Sequence, residues 1–171
     1  MPWAELDGAE WTLPGPRNKT KFDLLRPLPK AALAVLGTKP DGGAGFAFST
    51  DDGATPLSGF SKFKAEFDRA VLAELRKSNP DAQPLPNWTL HDLRRTARSL
   101  MSRAGVASDH AERCLGHVIS GVRGTYDRHE YRDEKAQAYE ALARLVDFIV
   151  HRRVISVTLR RREPQRDGMQ S

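Results

Sequence analysis

At 171 residues, with 39% hydrophobic and 29% charged side chains, the chain has the size and composition of one globular domain with a real core, which excludes wholesale disorder. A single cysteine, Cys114, excludes a disulfide framework and any cysteine-rich zinc or iron–sulfur site. The net charge is +5 and the pI near 9.6, but residues 151–171 carry +4 of it, as six arginines against Glu163 and Asp167, so the first 150 residues are near neutral and local charge placement must decide about nucleic acid.

The opening MPWAELDGAE is acidic at once and unlike a secretory leader. No apolar run approaches the roughly 20 residues of a membrane span. A soluble, cytoplasmic protein with no membrane partner is expected. Residues 9–29 contain two short apolar runs, AEWTLP and LLRPLP, joined by the polar GPRNKTKFD, a pattern that predicts a β-hairpin with a long loop. Pro14 and Pro29 end or edge its strands. Residues 29–36 predict a short helix with proline at its start. Residues 37–59 are rich in Gly, Asp, Ser and Thr, and predict a loop with one brief strand at FAF. A helix follows over residues 60–77, capped by Ser58 or Ser61, with Phe60, Phe63, Phe67, Ala70 and Val71 at helical spacing.

After the Pro-rich loop 78–88, Thr89 and Asp92 form a capping-box pattern at the start of a helix over 89–104. Its predicted apolar stripe is Leu90, Leu93, Ala97, Leu100, Met101 and Ala104, and Gly105 ends it. A second helix runs from Ser108 to Gly116. The stretch 117–131 reads as looser, with Gly121 and Gly124. The last helix covers 133–150, with Ala138, Leu142, Leu145, Val146 and Ile149 on one face. The tail 151–171 reads as partly disordered.

On the helix at 89–104, His91 and Arg94 are three residues apart and share a face, which Arg95 and Arg98 extend. Such a face can grip a phosphate, because guanidinium matches phosphate oxygens bidentately. It can equally be a solvated basic face. Downstream, Leu115-Gly116-His117 places a histidine just past a glycine-ended helix, and Tyr126 stands nine residues later in GVRGTYDRHEY.

The succession HDLRRT, LGH and then that tyrosine resembles the catalytic domain of the tyrosine recombinases, specifically the phage-type integrases. The family pattern is His-x-x-Arg, Leu-Gly-His and a nucleophilic tyrosine, and all three parts occur here in order. The hairpin EWTLPGPRNKTKFDLLRPLP resembles the family's hairpin, whose loop carries a catalytic lysine; Lys19 falls at that place and Lys21 is the next choice. The segment FAFSTDDGATPLSGFSKFKAEFD resembles the one before the His-x-x-Arg helix, and RDEKAQAYEALARLV the family's terminal helix. The resemblance covers about residues 3–150.

It implies a mostly helical α+β fold, like that of the DNA breaking–rejoining enzymes, with a small antiparallel sheet near the N-terminus. Residues 1–150 would form the catalytic domain and 151–171 a basic tail. Double-stranded DNA is the implied partner, with self-association on DNA through the C-terminal helix or tail. The roles follow from strand cleavage, which must neutralise an anionic phosphodiester and aim a nucleophile at it. Arg94 would bind the non-bridging oxygens, His91 would act in proton transfer or hydrogen-bond the same group, and His117 would donate to a phosphate oxygen. Tyr126 would attack phosphorus and form a 3′-phosphotyrosyl link, and Lys19 would protonate the leaving 5′ oxygen. Arg95, Arg98, Arg123, Arg128 and Lys21 are candidate DNA contacts. No metal or cofactor is implied, since protein cations carry the charge.

The sequence departs from the family in one respect. A first arginine normally lies on a helix upstream of the hairpin, and PWAELDG resembles the stretch just after that helix. None of Arg17, Arg26 or Arg69 sits in a matching motif, and the family's N-terminal clamp domain is also not seen. Loss of one transition-state phosphate contact costs about two to three orders of magnitude in rate or more, so weak or no recombination by this chain alone is expected. Two other readings use the same residues. Helix, short turn at Gly105 and helix over 89–116 can be a helix-turn-helix that reads DNA without cutting it. The final helix can be a protein-interaction element.

Overall fold

The computed structural model describes residues 1–117 and 130–151. The architecture is α+β, mostly helical with a small antiparallel sheet. Three short strands, β1 (Leu6–Asp7), β2 (Glu10–Leu13) and β3 (Leu24–Pro27), pair in chain order. Strands β2 and β3 are the two arms of the predicted hairpin, in register from Leu13 opposite Leu24 to Glu10 opposite Pro27. Pro27 is tolerated because β3 is an edge strand. Strand β1 was not legible in the sequence, since two residues make no periodicity. The hairpin loop is closed by the Gly15 N–H on Asp23 Oδ1 at 2.7 Å and by the Asn18 amide on the Phe22 carbonyl at 2.7 Å.

Helix α1 (Lys30–Leu36) follows, as expected. The FAF segment forms no extended strand. Phe46 makes an isolated bridge with Pro2, and Ala47 N–H donates to the Met1 carbonyl at 2.9 Å. Helix α2 (Phe60–Ser78) begins at Gly59 (φ 74°), and neither Ser58 nor Ser61 caps it with a side-chain bond. A left-handed residue at that position is available to glycine without the strain a serine would meet. The phenylalanines of α2 do not enter the core. Phe60, Phe63 and Phe67 stay largely exposed and line an apolar groove of about 490 Å³ with Trp88, Leu90 and Leu93.

Helix α3 (Leu90–Arg103) starts with the predicted capping box: the Asp92 carboxylate accepts from the Thr89 backbone N–H at 2.9 Å and from its hydroxyl at 2.8 Å. These bonds, the backbone one first, hold Asp92 below the ordinary carboxylate range. The expected apolar stripe is correct only in its second half. Met101 is fully buried, whereas Leu90 and Leu93 are about half exposed and face the groove of α2. Helix α4 (Ser108–Leu115) and helix α5 (Arg132–Val150) complete the packed body. The core joins Met101, Ala111, Cys114 and Ala138, with Val106, Tyr139 and Leu142 against it.

Helix α5 also holds the sheet. Lys135 is buried, and its Nζ donates to the Leu25 carbonyl of β3 at 3.1 Å; desolvation lowers its pKa. Arg132 pairs with Glu10 of β2. The helix is entered through Tyr131 in a left-handed conformation (φ 52°), its ring beneath the Arg113 guanidinium at 3.6 Å and 5.8 Å from the His110 ring. Beyond Leu142 the helix leaves the core, so Val146 and Ile149, placed on the apolar face by their spacing, are exposed. No helix among the described residues is long and apolar enough to cross a membrane.

Candidate functional site

The site is built around the end of α4. The last carbonyls of any helix lack intrahelical partners and must be satisfied otherwise. Here all four are. Gly116 is left-handed (φ 72°), and its N–H donates to the Arg113 carbonyl at 3.0 Å. The His117 N–H donates to the Glu112 carbonyl at 3.0 Å, which completes a Schellman turn. The Tyr139 hydroxyl of α5 donates to the Cys114 carbonyl at 2.7 Å. The Arg94 guanidinium of α3 donates to the Leu115 carbonyl. The histidine at 117 therefore leaves a turn that is fixed by its own backbone and by two neighbouring helices.

Arg94 and the Leu-Gly-His turn are thus in direct contact, although 21 residues separate Arg94 from Leu115. His91 lies on the same helix one turn before Arg94 and is exposed. His117 is exposed at about half its side chain, and its Nδ1 meets Glu112 Oε2. Glu112 is also bound by Arg98 Nε at 2.6 Å. Donation from Arg98 first, then from His117, holds the Glu112 carboxyl below its ordinary range. Among the described residues no group of His, Cys, Asp or Glu side chains is arranged to hold a metal ion.

The hairpin reaches this turn through Leu24. A Cβ added at Gly116 would lie 2.5 Å from Leu24 Cδ2, so the first residue of β3 rests directly on the turn. Lys19 and Lys21 are exposed on the loop before that strand, and no bond joins either side chain to Arg94 or His117. Arg95 is exposed and pairs with Asp92 at 3.2 Å. Arg98 serves the fold: it binds Glu112, the Ser102 hydroxyl and, at 2.8 Å, the Ser108 hydroxyl, tying α3 to the start of α4. Tyr126, Arg123 and Arg128 lie outside the described residues.

Tyr139 and Tyr131 are both accounted for by the fold. Tyr139 is partly buried against the core, and the loss of water around its hydroxyl raises its pKa; that hydroxyl is committed to the Cys114 carbonyl. Two partners escaped the sequence reading, Glu112 and the Tyr139 hydroxyl. Glu112 is five residues before His117, and the left-handed Gly116 between them folds the chain back so that the two side chains meet. No family model, no curated protein and no solved structure matches the chain.

Proposed function

We propose that the chain is the catalytic part of a tyrosine recombinase of the phage-integrase type, with a fold of the DNA breaking–rejoining kind. Its partner is double-stranded DNA, on which copies associate through α5 and the basic tail. Tyr126 Oη attacks the scissile phosphorus; a phosphotyrosyl bond to the 3′ side forms as the bond to the 5′ oxygen breaks. Lys19 gives the leaving oxygen its proton, and Arg94, His91 and His117 stabilise the charge on the non-bridging oxygens. The reverse attack by a 5′ hydroxyl reseals the strand with no external energy source.

The observation that carries this reading is the bond from Arg94 to the Leu115 carbonyl. Two motifs distant in sequence, His-x-x-Arg and Leu-Gly-His, meet at one place, as phosphate binding by both would require. Arginine has five N–H donors, and this bond takes one.

The target sequence being unknown, the test uses a library of random duplexes with a 5′-bridging phosphorothiolate. Its thiol leaving group departs without a general acid and does not religate efficiently, so cleaved complexes accumulate. Covalent protein–DNA adduct in the wild type, lost in Tyr126→Phe and strongly reduced in Arg94→Ala, is the expected result. Salt-sensitive binding with no adduct would instead identify a DNA-binding module without strand-cutting chemistry.

A further inference from the structure

Glu112 holds His117 in two ways. Its main-chain carbonyl accepts the His117 N–H at 3.0 Å, and its carboxylate meets the ring Nδ1. The carboxylate does not turn freely about this contact, because its other oxygen is held by Arg98 from α3 at 2.6 Å, and Arg98 is held in turn by Ser102 and Ser108. The ring is therefore referenced to α3, α4 and the turn together.

An ionised carboxylate accepts hydrogen bonds and donates none. Glu112 is kept ionised by the two donors it binds. The Nδ1 facing it must then carry a proton. We infer that Glu112 is a positioning residue for His117: it commits the Nδ1–H to itself and leaves Nε2 as the nitrogen offered to the DNA phosphate. The inference rests on the recombinase reading for the phosphate, but the state of the ring follows from the geometry of the chain itself. It has a chemical consequence. With Nδ1 protonated, Nε2 donates a hydrogen bond only in the imidazolium form, and in the neutral ring it accepts. His117 thus assists a phosphate oxygen as a charged donor, which suits a dianionic transition state better than a neutral donor would.

Nuclear magnetic resonance of the ¹⁵N-labelled full chain tests the ring state without DNA. His117 is assigned by comparison with His117→Gln, and spectra are taken near pH 8, where histidines are largely neutral. The expected wild-type result is an Nδ1-protonated His117 ring, changing to predominantly Nε2-protonated in Glu112→Ala. An Nε2-protonated wild-type ring, or a ring unaffected by Glu112→Ala, overturns the assignment. The wild-type spectrum decides even if Glu112→Ala fails to fold.

The catalytic arm uses Glu112→Gln in the adduct assay. Covalent capture should slow by about tenfold, the lower end of what removing a group that orients a working histidine costs. Salt dependence of DNA binding should stay as in the wild type. An unchanged rate overturns the positioning role while leaving the recombinase reading intact. Absence of adduct from the wild type overturns that reading and the phosphate role with it, whereas the tautomer result separately decides whether Glu112 fixes the ring.

Discussion

Gly116 and Leu24 pack closely: a Cβ on Gly116 would stand 2.5 Å from Leu24 Cδ2, so an alanine there would force the leucine side chain to shift. Gly116 also has φ 72°, where an L side chain is strained. Gly116→Ala should therefore destabilise the domain by about 2 kcal/mol, combining backbone strain with overpacking. Urea unfolding measures this. Leu24→Ala in the Gly116→Ala background should recover the overpacking part, because it removes the atom that collides. If the double variant is no more stable than the sum of the two single changes, the contact is not what limits position 116.

Arg94 is expected to show two separable losses. Its guanidinium satisfies the Leu115 carbonyl at the end of α4. Arg94→Met leaves that carbonyl without its donor, at a cost of about 1–2 kcal/mol for a partly buried bond from a charged group. Arg94→Lys keeps the charge but lacks the planar fork, so it cannot serve the carbonyl and a phosphate together. Adduct formation should fall by about two orders of magnitude in Arg94→Lys, with the urea midpoint nearer to wild type than that of Arg94→Met. Equal midpoints for Arg94→Met and the wild type would show that the bond to Leu115 contributes nothing to stability.

Glu112 sets part of the acid response. In the folded chain the Arg98 guanidinium, and then the His117 ring, hold its carboxyl below the ordinary value of 4.5. A carboxyl depressed by folding adds stability that is fully present above its unfolded value and is lost as pH falls through its folded value. Wild-type stability should therefore decline more steeply below pH 4.5 than that of Glu112→Gln. Urea titrations at about pH 7 and about pH 3 measure the two slopes. Parallel curves would show that the Arg98–Glu112–His117 chain is too well solvated to matter.

Local signals in the sequence proved readable where one residue imposes one conformation. Thr89 and Asp92 start α3 by their own bonds, and Gly116 ends α4 because it can turn left-handed. The hairpin arms were visible as two short apolar runs joined by a polar stretch, while their register, Leu13 opposite Leu24, comes from the structure alone. What depended on distant partners was not readable. The periodicity of α3 cannot say that Leu90 and Leu93 face α2 while Met101 enters the core. Nor can the clustering of arginines say that Arg98 belongs to Glu112 and two serines. The pairing of Glu112 with His117 is local in sequence, yet it needs the turn at Gly116 to exist first.

Cys114 makes the packing of α3, α4 and α5 measurable. It is the one cysteine of the chain, 3% exposed, and burial pushes its thiol up to about 11. The thiolate is the reactive form, so at about pH 8 the folded chain presents little thiolate and almost no access to it. A disulfide reagent such as Ellman's should leave Cys114 unlabelled in the native state and label it fully in denaturant. Any slow native labelling then reports opening of the core around Met101, Ala111 and Ala138. Met101→Ala should speed it greatly, since emptying a fully buried methionine site costs about 2–5 kcal/mol. Native labelling as fast as in the unfolded chain would contradict the packing of Cys114 between α4 and α5, and with it the fixed turn that carries His117.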